Sequence, residues 1–286
     1  MDRIDAAFDR LGAYLYINPV DRADFSYYRE SFEESLRLID ARIDGGHLGP
    51  VDLRDFPLVA RWPGYVVDAA LYIGSFDPFQ MTHLAMALRY LASPGAAAPI
   101  VFVVPEGHVN PHKPLKSDYE YRRQLASMQL ENVFDPLVVP LDIGKGADTI
   151  EIVRRFIALF PGSRLNLTHL LGSDVLPWAV KLLPEDLDIW RAEALRRGVD
   201  FGYRAFVARR LGAPPPEPHA AALEAMGLSI HVDDSPIGAP SSTDFREGHT
   251  FSIVFPTDAV IRHMEILFRY NLNNPWRIDS GGARGA

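Results

Sequence analysis

Gly74-Ser75-Phe76-Asp77-Pro78-Phe79-Gln80-Met81-Thr82-His83 stands between two segments of different character. Before it runs Ala69-Ala70-Leu71-Tyr72-Ile73, a short apolar run of the kind that forms a strand buried on both faces. After it, Leu84, Ala87, Leu88 and Leu91 recur at helical spacing. The chain therefore reads as a strand that turns through a glycine into a helix. Gly74 lets a ligand approach the backbone closely. The first helical turn offers N–H groups and the positive end of the helix dipole to phosphate, and His83 lies in that turn. The bland alternative is an ordinary Gly-Ser-Phe-Asp-Pro turn with a surface or core histidine, which keeps the same local structure and assigns no chemistry.

Outward from this stretch the alternation repeats. Ile100 to Val104, Pro136 to Pro140, Leu165 to Leu171, Ala205 to Ala208 and Ser229 to Val232 read as strands, and helices are expected over about 119–131 and 148–160. Such alternation predicts an α/β fold, a Rossmann-like doubly wound parallel sheet, with ligands at the carboxyl ends of its strands. Residues 212–218, rich in proline, read as a surface loop. Upstream, Phe25, Tyr28, Phe32, Leu36, Ile39 and Ile43 share one helix face and Gly45-Gly46 ends that helix. The stripe is expected to pack on the main body; a partner-binding or oligomerisation helix is the alternative. The expected organisation is a helical N-terminal extension over 1–65, a catalytic domain over 66–275 and a frayed tail over 276–286.

Composition narrows the function classes. With 286 residues, 48% of them apolar, the chain can bury a sizeable core. It has no cysteine, which excludes disulfides, thiolate metal sites and cysteine nucleophiles and fits a reducing cytoplasm. No apolar run is long enough to span a bilayer, and no signal peptide is expected at the N-terminus. The formal charge of −8 argues against a nucleic-acid coat, although a small polyanion can bind where basic groups gather locally. No metal-ligand cluster is expected: His108 and His112 lie in a Pro-rich loop and read as non-ligands.

A second polar segment, Pro240-Ser241-Ser242-Thr243-Asp244-Phe245-Arg246, follows the last strand. Three hydroxyls at a helix start and an arginine one turn on can cradle an anion, with the guanidinium able to clamp phosphate bidentately; a plain helix cap with a solvated arginine is the alternative. Taken together, the two segments resemble the nicotinate/nicotinamide mononucleotide adenylyltransferase family, within the wider HxGH nucleotidyltransferase superfamily. The family's first motif, G-[ST]-F-[DN]-P followed by H-x-G-H or T-x-x-H, matches Gly74 to His83. Its last motif, S-S-T-x-x-R, matches Ser241 to Arg246. Pro111-His112-Lys113, Asp148-Thr149-Ile150, Gly172-Ser173-Asp174, Val207-Ala208-Arg209 and Phe255-Pro256 through Tyr270 resemble its intermediate landmarks in order. The resemblance spans about residues 69–272. Gln80 stands where the first His is usual and Thr82 where the Gly is usual; Gln can donate a hydrogen bond but carries no charge.

The resemblance implies transfer of the adenylyl group of ATP to a pyridine mononucleotide, giving a dinucleotide and pyrophosphate in NAD biosynthesis. It implies His83 as the main transition-state donor, Gln80 as a weaker helper and Arg246 on the triphosphate. Gly74, Ser75, Phe76, Lys113, Ser241, Ser242, Thr243 and Arg209 would contact ATP and its phosphates. Gly172, Ser173, Asp174 and Trp190 would hold the mononucleotide. Trp190 is expected to stack on the pyridine, following a loop and opening a helix, while Trp178, one helical turn after Asp174, is expected to pack in the core. Mg²⁺ would be carried with ATP. The implied partners are ATP and the mononucleotide, with a homo-oligomer possible and no nucleic acid or membrane. Transfer to another phosphorylated metabolite, and a nucleotide-binding module without turnover, are the alternatives.

Overall fold

The structure, a computed structural model, describes residues 8–9, 19–48, 64–108, 116–130, 134, 136–238, 241–243, 254–255, 257 and 259–260, with the backbone alone for 19–24. In chain order the elements are α1 (Pro19–Asp44), β1 (Val66–Gly74), α2 (Met81–Ala92), β2 (Val101–Pro105), α3 (Tyr119–Leu130), β3 (Val138–Pro140), α4 (Thr149–Ile157) and β4 (Arg164–Gly172). A short 3₁₀ turn (Ser173–Val175), α5 (Leu176–Arg197), β5 (Asp200–Arg210), α6 (Glu217–Ala225) and β6 (Ser229–Ile237) complete them. Every strand read from the sequence is present; β1, β4, β5 and β6 run longer than read, β2 is shifted by one residue and β3 is shorter. The proline-rich stretch read as a loop gives way to α6 at Glu217, because prolines are tolerated in a first helical turn.

All strand pairs are parallel, in the order β3-β2-β1-β4-β5-β6. This is the doubly wound arrangement expected. Both sheet faces are covered, so successive residues of one strand enter opposite cores. On β1, Ala70 and Tyr72 point into one core while Ala69, Leu71 and Ile73 point into the other. The first core is covered by α1, α2 and α3, the second by α4, α5 and α6.

The order of strands reverses between β1 and β4. Their pairing runs from Val66↔Arg164 to Leu71↔His169 and stops there, although both strands continue to Gly74 and Gly172. The strands part over their last three residues, which opens a crevice at the position where such sheets bind ligands.

The N-terminal extension belongs to the body of the fold. Tyr28, Phe32 and Ile39 are wholly buried in the same core as α2, with Phe25 and Leu36 packed against it. Burying each large side chain contributes up to about 1.5–3 kcal/mol. Ile43, at the end of the stripe, is exposed. Phe8 and Phe32 join Phe134 and Phe255 in an edge-to-face cluster with ring centroids 5.1 to 6.4 Å apart, so segments distant in sequence share one apolar centre. Arg42 caps the arrangement by donating to the carbonyls of Leu91 and Ala96.

Candidate active site

A cavity of about 860 Å³ opens at the carboxyl ends of β1 and β4, within the size range of small-molecule sites. Its first wall is the loop from Gly74 to His83. Phe76 in that loop has φ +42°, a region a bulky residue occupies only when its surroundings enforce it. The enforcement is visible: the Phe76 ring is buried against Tyr72 and His83, at 5.0 and 4.9 Å between centroids. A side chain on Gly74 would meet that ring at 2.9 Å. Arg122, almost wholly buried, holds the loop from behind. Its guanidinium donates to the carbonyls of Ser75, Glu106 and Ser117, stitching the β1 loop to the segments after β2 and before α3.

The first turn of α2 forms a capping box. The Gln80 side chain accepts from the Thr82 N–H at 2.8 Å, and His83 Nδ1 accepts from the Gln80 N–H at 3.1 Å. An Nδ1 that accepts carries no proton, so the neutral ring holds its proton on Nε2. His83 thus meets the cavity as an oriented N–H donor in the first turn of a helix, where the dipole also favours anions.

The last motif closes this wall. The Ser242 hydroxyl donates to the Pro78 carbonyl at 2.8 Å, and Ser241, Ser242 and Thr243 line the cavity beside Ser75 and His83. Two segments 164 residues apart are therefore one surface.

The opposite wall comes from the carboxyl ends of β4 and β5 and from α5. A Cβ on Gly172 would sit 2.4 Å from the Asp174 carboxylate, so the glycine leaves room for that side chain where it stands. Asp174 pairs with Arg210 at 3.1 Å at the cavity edge. Deeper, His169 is fully buried with Nδ1 3.1 Å from the Tyr203 hydroxyl. Burial pushes its imidazole down to about 4, so it is neutral at pH 7. On α5, Trp178, Leu182 and Asp186 recur every four residues along the face that borders the cavity. Facing them, Asp148 caps α4 by accepting from the Glu151 N–H, and Thr149 donates to Glu106. Burial first, then the charges of Asp148 and Glu185, raise the Asp186 carboxyl to about 6.

No protein-family model and no curated protein sequence matches the chain. Two solved structures of Plasmodium falciparum nicotinic acid mononucleotide adenylyltransferase resemble it. The one complexed with NaAD gives a TM-score of 0.50 at 16% identity, and the one complexed with APC gives 0.48 at 14%. Each comparison covers 72% of this chain and 99% of the other. The chain shares the α/β Rossmann-like fold of the structure complexed with NaAD.

Against this fold the sequence reading divides. Gly74, Ser75, Phe76, His83, Ser241, Ser242, Thr243, Gly172 and Asp174 all border the one cavity. Lys113 and Arg246 lie outside the described residues, as do His112 and the expected tail over 276–286. Four assignments change. Gln80 is wholly buried and its side-chain oxygen is committed to the helix cap, so it supports His83 and does not reach the cavity. Ser173 is buried too, and its hydroxyl accepts from the Arg210 N–H, fixing β5. Arg209 is turned to Glu217; alternation along β5 points its neighbour Arg210 to the cavity instead. Trp190 is wholly buried, inside α5, not after a loop, and donates from Nε1 to the Ile150 carbonyl at 3.2 Å. It lies in the cavity floor with Tyr203, its ring 5.6 Å away. Trp178, expected in the core, is 62% exposed and borders the cavity. Its outward position follows from α5 running unbroken from Leu176 through Pro184 to Arg197, which gives Trp178 and Trp190 different faces of one helix.

Arg210, Trp178, His169 and Asp186 are the site residues that sequence reasoning missed. The four-residue spacing of Trp178, Leu182 and Asp186 was the one available signal. Among the described residues no group of three or more His, Cys, Asp or Glu is placed to hold a metal ion, and no helix is long and apolar enough to cross a membrane.

Proposed function

We propose that the protein is an adenylyltransferase joining ATP to a pyridine mononucleotide. The observation that carries this reading is the single phosphate-facing surface made by the β1 loop, the first turn of α2 and the Ser241–Thr243 segment, tied together by the Ser242 to Pro78 hydrogen bond. In this reaction a phosphate oxygen of the mononucleotide attacks the α-phosphorus of ATP. A bond forms from that oxygen to phosphorus, and the bond from the α-phosphorus to its bridging oxygen breaks as pyrophosphate leaves. The step needs positioning and charge neutralisation more than covalent catalysis.

His83 fits the need, because its oriented Nε2–H donates to developing phosphate charge without reorganising. The hydroxyls of Ser241, Ser242 and Thr243 and the open turn at Gly74 receive phosphate and ribose, and Asp174 with Arg210 borders the second nucleotide at Gly172. Arg246 and Lys113 complete the phosphate contacts in this reading. Mg²⁺ would travel with ATP, held by phosphate oxygens and water; it supplies charge neutralisation on the leaving pyrophosphate. The aromatic face for the pyridine is Trp178.

The test is pyrophosphate release from ATP against a panel of phosphorylated acceptors. Turnover with a pyridine mononucleotide, well above other acceptors, is the expected result. Turnover confined to a different acceptor, or nucleotide binding with no turnover at all, would overturn it.

A further inference from the structure

The side of the cavity between α5 and the start of α4 has a chemistry of its own. α5 presents Trp178, Leu182 and Asp186, α4 presents Thr149 with its cap Asp148, and His169 and Tyr203 close the floor. The chamber is flat-walled, aromatic and acidic. Of the cations of these helices, Arg154 pairs with Glu151 and Glu193 and Arg155 with Glu151, while Lys181 lies over the Trp178 ring at the rim of the chamber, 5.3 Å from its centroid. Among the described residues no Lys or Arg of α4 or α5 borders the cavity.

The two candidate acceptors differ in charge at this point. Both carry a pyridinium nitrogen. A carboxamide leaves the ring with a net positive charge and two N–H donors, whereas a carboxylate cancels the ring charge and offers only acceptors. From this, resting on the function proposed above, we infer that the chamber selects the pyridinium carboxamide over the carboxylate, with Asp186 as the residue that determines the choice. The Asp186 and Asp148 carboxylates accept from the amide and repel a substrate carboxylate. A hydrogen-bonding site of this type also rejects the analogue that cannot donate.

The protonation state of Asp186 supplies an independent handle. Facing it are Asp148 from α4, Glu185 and Lys181 from its own helix, and His169 and Tyr203 from the strands. His169 loses its proton near 4 and Tyr203 is pushed far upward by burial, so Asp186 is the group that titrates near 6. Discrimination against the carboxylate is therefore full well above pH 6 and fades below it. The phosphate of the two ligands titrates alike and cancels in their ratio.

The experiment measures kcat/KM for nicotinamide mononucleotide and nicotinate mononucleotide at saturating ATP, in the parent and in Asp186→Asn, at about pH 8 and pH 5. Equilibrium binding of both mononucleotides, followed by tryptophan fluorescence, accompanies it. The expected parent preference for the carboxamide is at least about tenfold, or about 1.4 kcal/mol. It should narrow at least about threefold in Asp186→Asn and at low pH in the parent, with the KM for ATP unchanged. Equal or better use of the carboxylate overturns the inference, as does a ratio that Asp186→Asn leaves within twofold. Should neither ligand be turned over, the proposed function fails, while the ratio of the two binding constants still decides the selectivity.

Discussion

Replacing the two α5 tryptophans separates core from site. Trp190 is wholly buried in the second core and donates to the Ile150 carbonyl. Trp190→Ala removes an indole the surroundings cannot refill, which typically costs about 3–5 kcal/mol. It also removes the hydrogen bond to the half-buried Ile150 carbonyl, so a cost toward the upper end, about 5 kcal/mol, is expected. At roughly 2 °C per kcal/mol for a chain of this length, the melting temperature should fall by about 10 °C. Trp190→Phe, which keeps most of the ring, should fall between. Trp178 is 62% exposed, and Trp178→Ala should leave the melting temperature within about 1 °C, since exposed substitutions rarely exceed about 0.5 kcal/mol. Its effect should appear in kinetics. Loss of an aromatic contact worth about 0.5–1.5 kcal/mol raises the KM for the mononucleotide roughly 2- to 10-fold and leaves that for ATP near its parent value. Calorimetric melting and steady-state pyrophosphate release read the two effects separately. If Trp190→Ala melted within about 3 °C of the parent, or Trp178→Ala left the mononucleotide KM unchanged, the assignment of the two rings would be wrong.

His83→Ala should lower kcat by roughly 10²- to 10³-fold, while the melting temperature shifts only by the lost capping contact, about 1 kcal/mol; activity within threefold of the parent would remove His83 from the chemistry. Tyr28 in α1 hydrogen-bonds through its hydroxyl to the Thr82 hydroxyl in the first turn of α2. Tyr28→Phe should cost about 1–3 kcal/mol, and its combination with Thr82→Ala should cost less than the sum of the singles; strict additivity in denaturant titrations would show that the two groups act independently. Burial keeps His169 neutral down to about 4, whereas the unfolded chain binds a proton near 6.5. Its contribution is thus complete above about pH 6.5 and declines as the pH falls toward 4, by up to about 1.4 kcal/mol per pH unit. His169→Gln should flatten that acid limb in urea melts at pH 7, 6 and 5, and an unaltered slope would assign it to other groups.

Much of the fold was legible because its signals are local. Buried parallel strands are short apolar runs, and the helices between them carry a periodic stripe, so Ala69 to Ile73, Leu84 to Leu91 and the α1 stripe each announced themselves. The β1 loop and the Ser241–Thr243 segment were legible for a related reason: each places a glycine or a run of hydroxyls at a strand-to-helix passage, where backbone N–H groups lack partners. What failed were choices between neighbours or between equivalent residues. Gln80 has the chemistry of a donor, yet the helix it begins takes its oxygen for a cap. Arg209 and Arg210 are adjacent and alike, and strand alternation sends one to Glu217 and the other to Asp174 at the cavity, a choice set by which face of β5 meets the crevice.

The tryptophans show the same division. By itself the sequence determined that an aromatic residue follows the Gly172-Ser173-Asp174 turn and that β1 passes through a glycine turn into a helix, because both depend on contacts within a few residues. Only the tertiary structure decided which indole stands exposed at the cavity and which lies buried in its floor. That choice rests on α5 continuing through Pro184 as one helix of 22 residues and on the side of that helix that the sheet and α4 bury. Burial of a helix face is set by what packs against it, and Trp190 packs beside His169 of β4 and Tyr203 of β5 and reaches Ile150 of α4, 40 residues away.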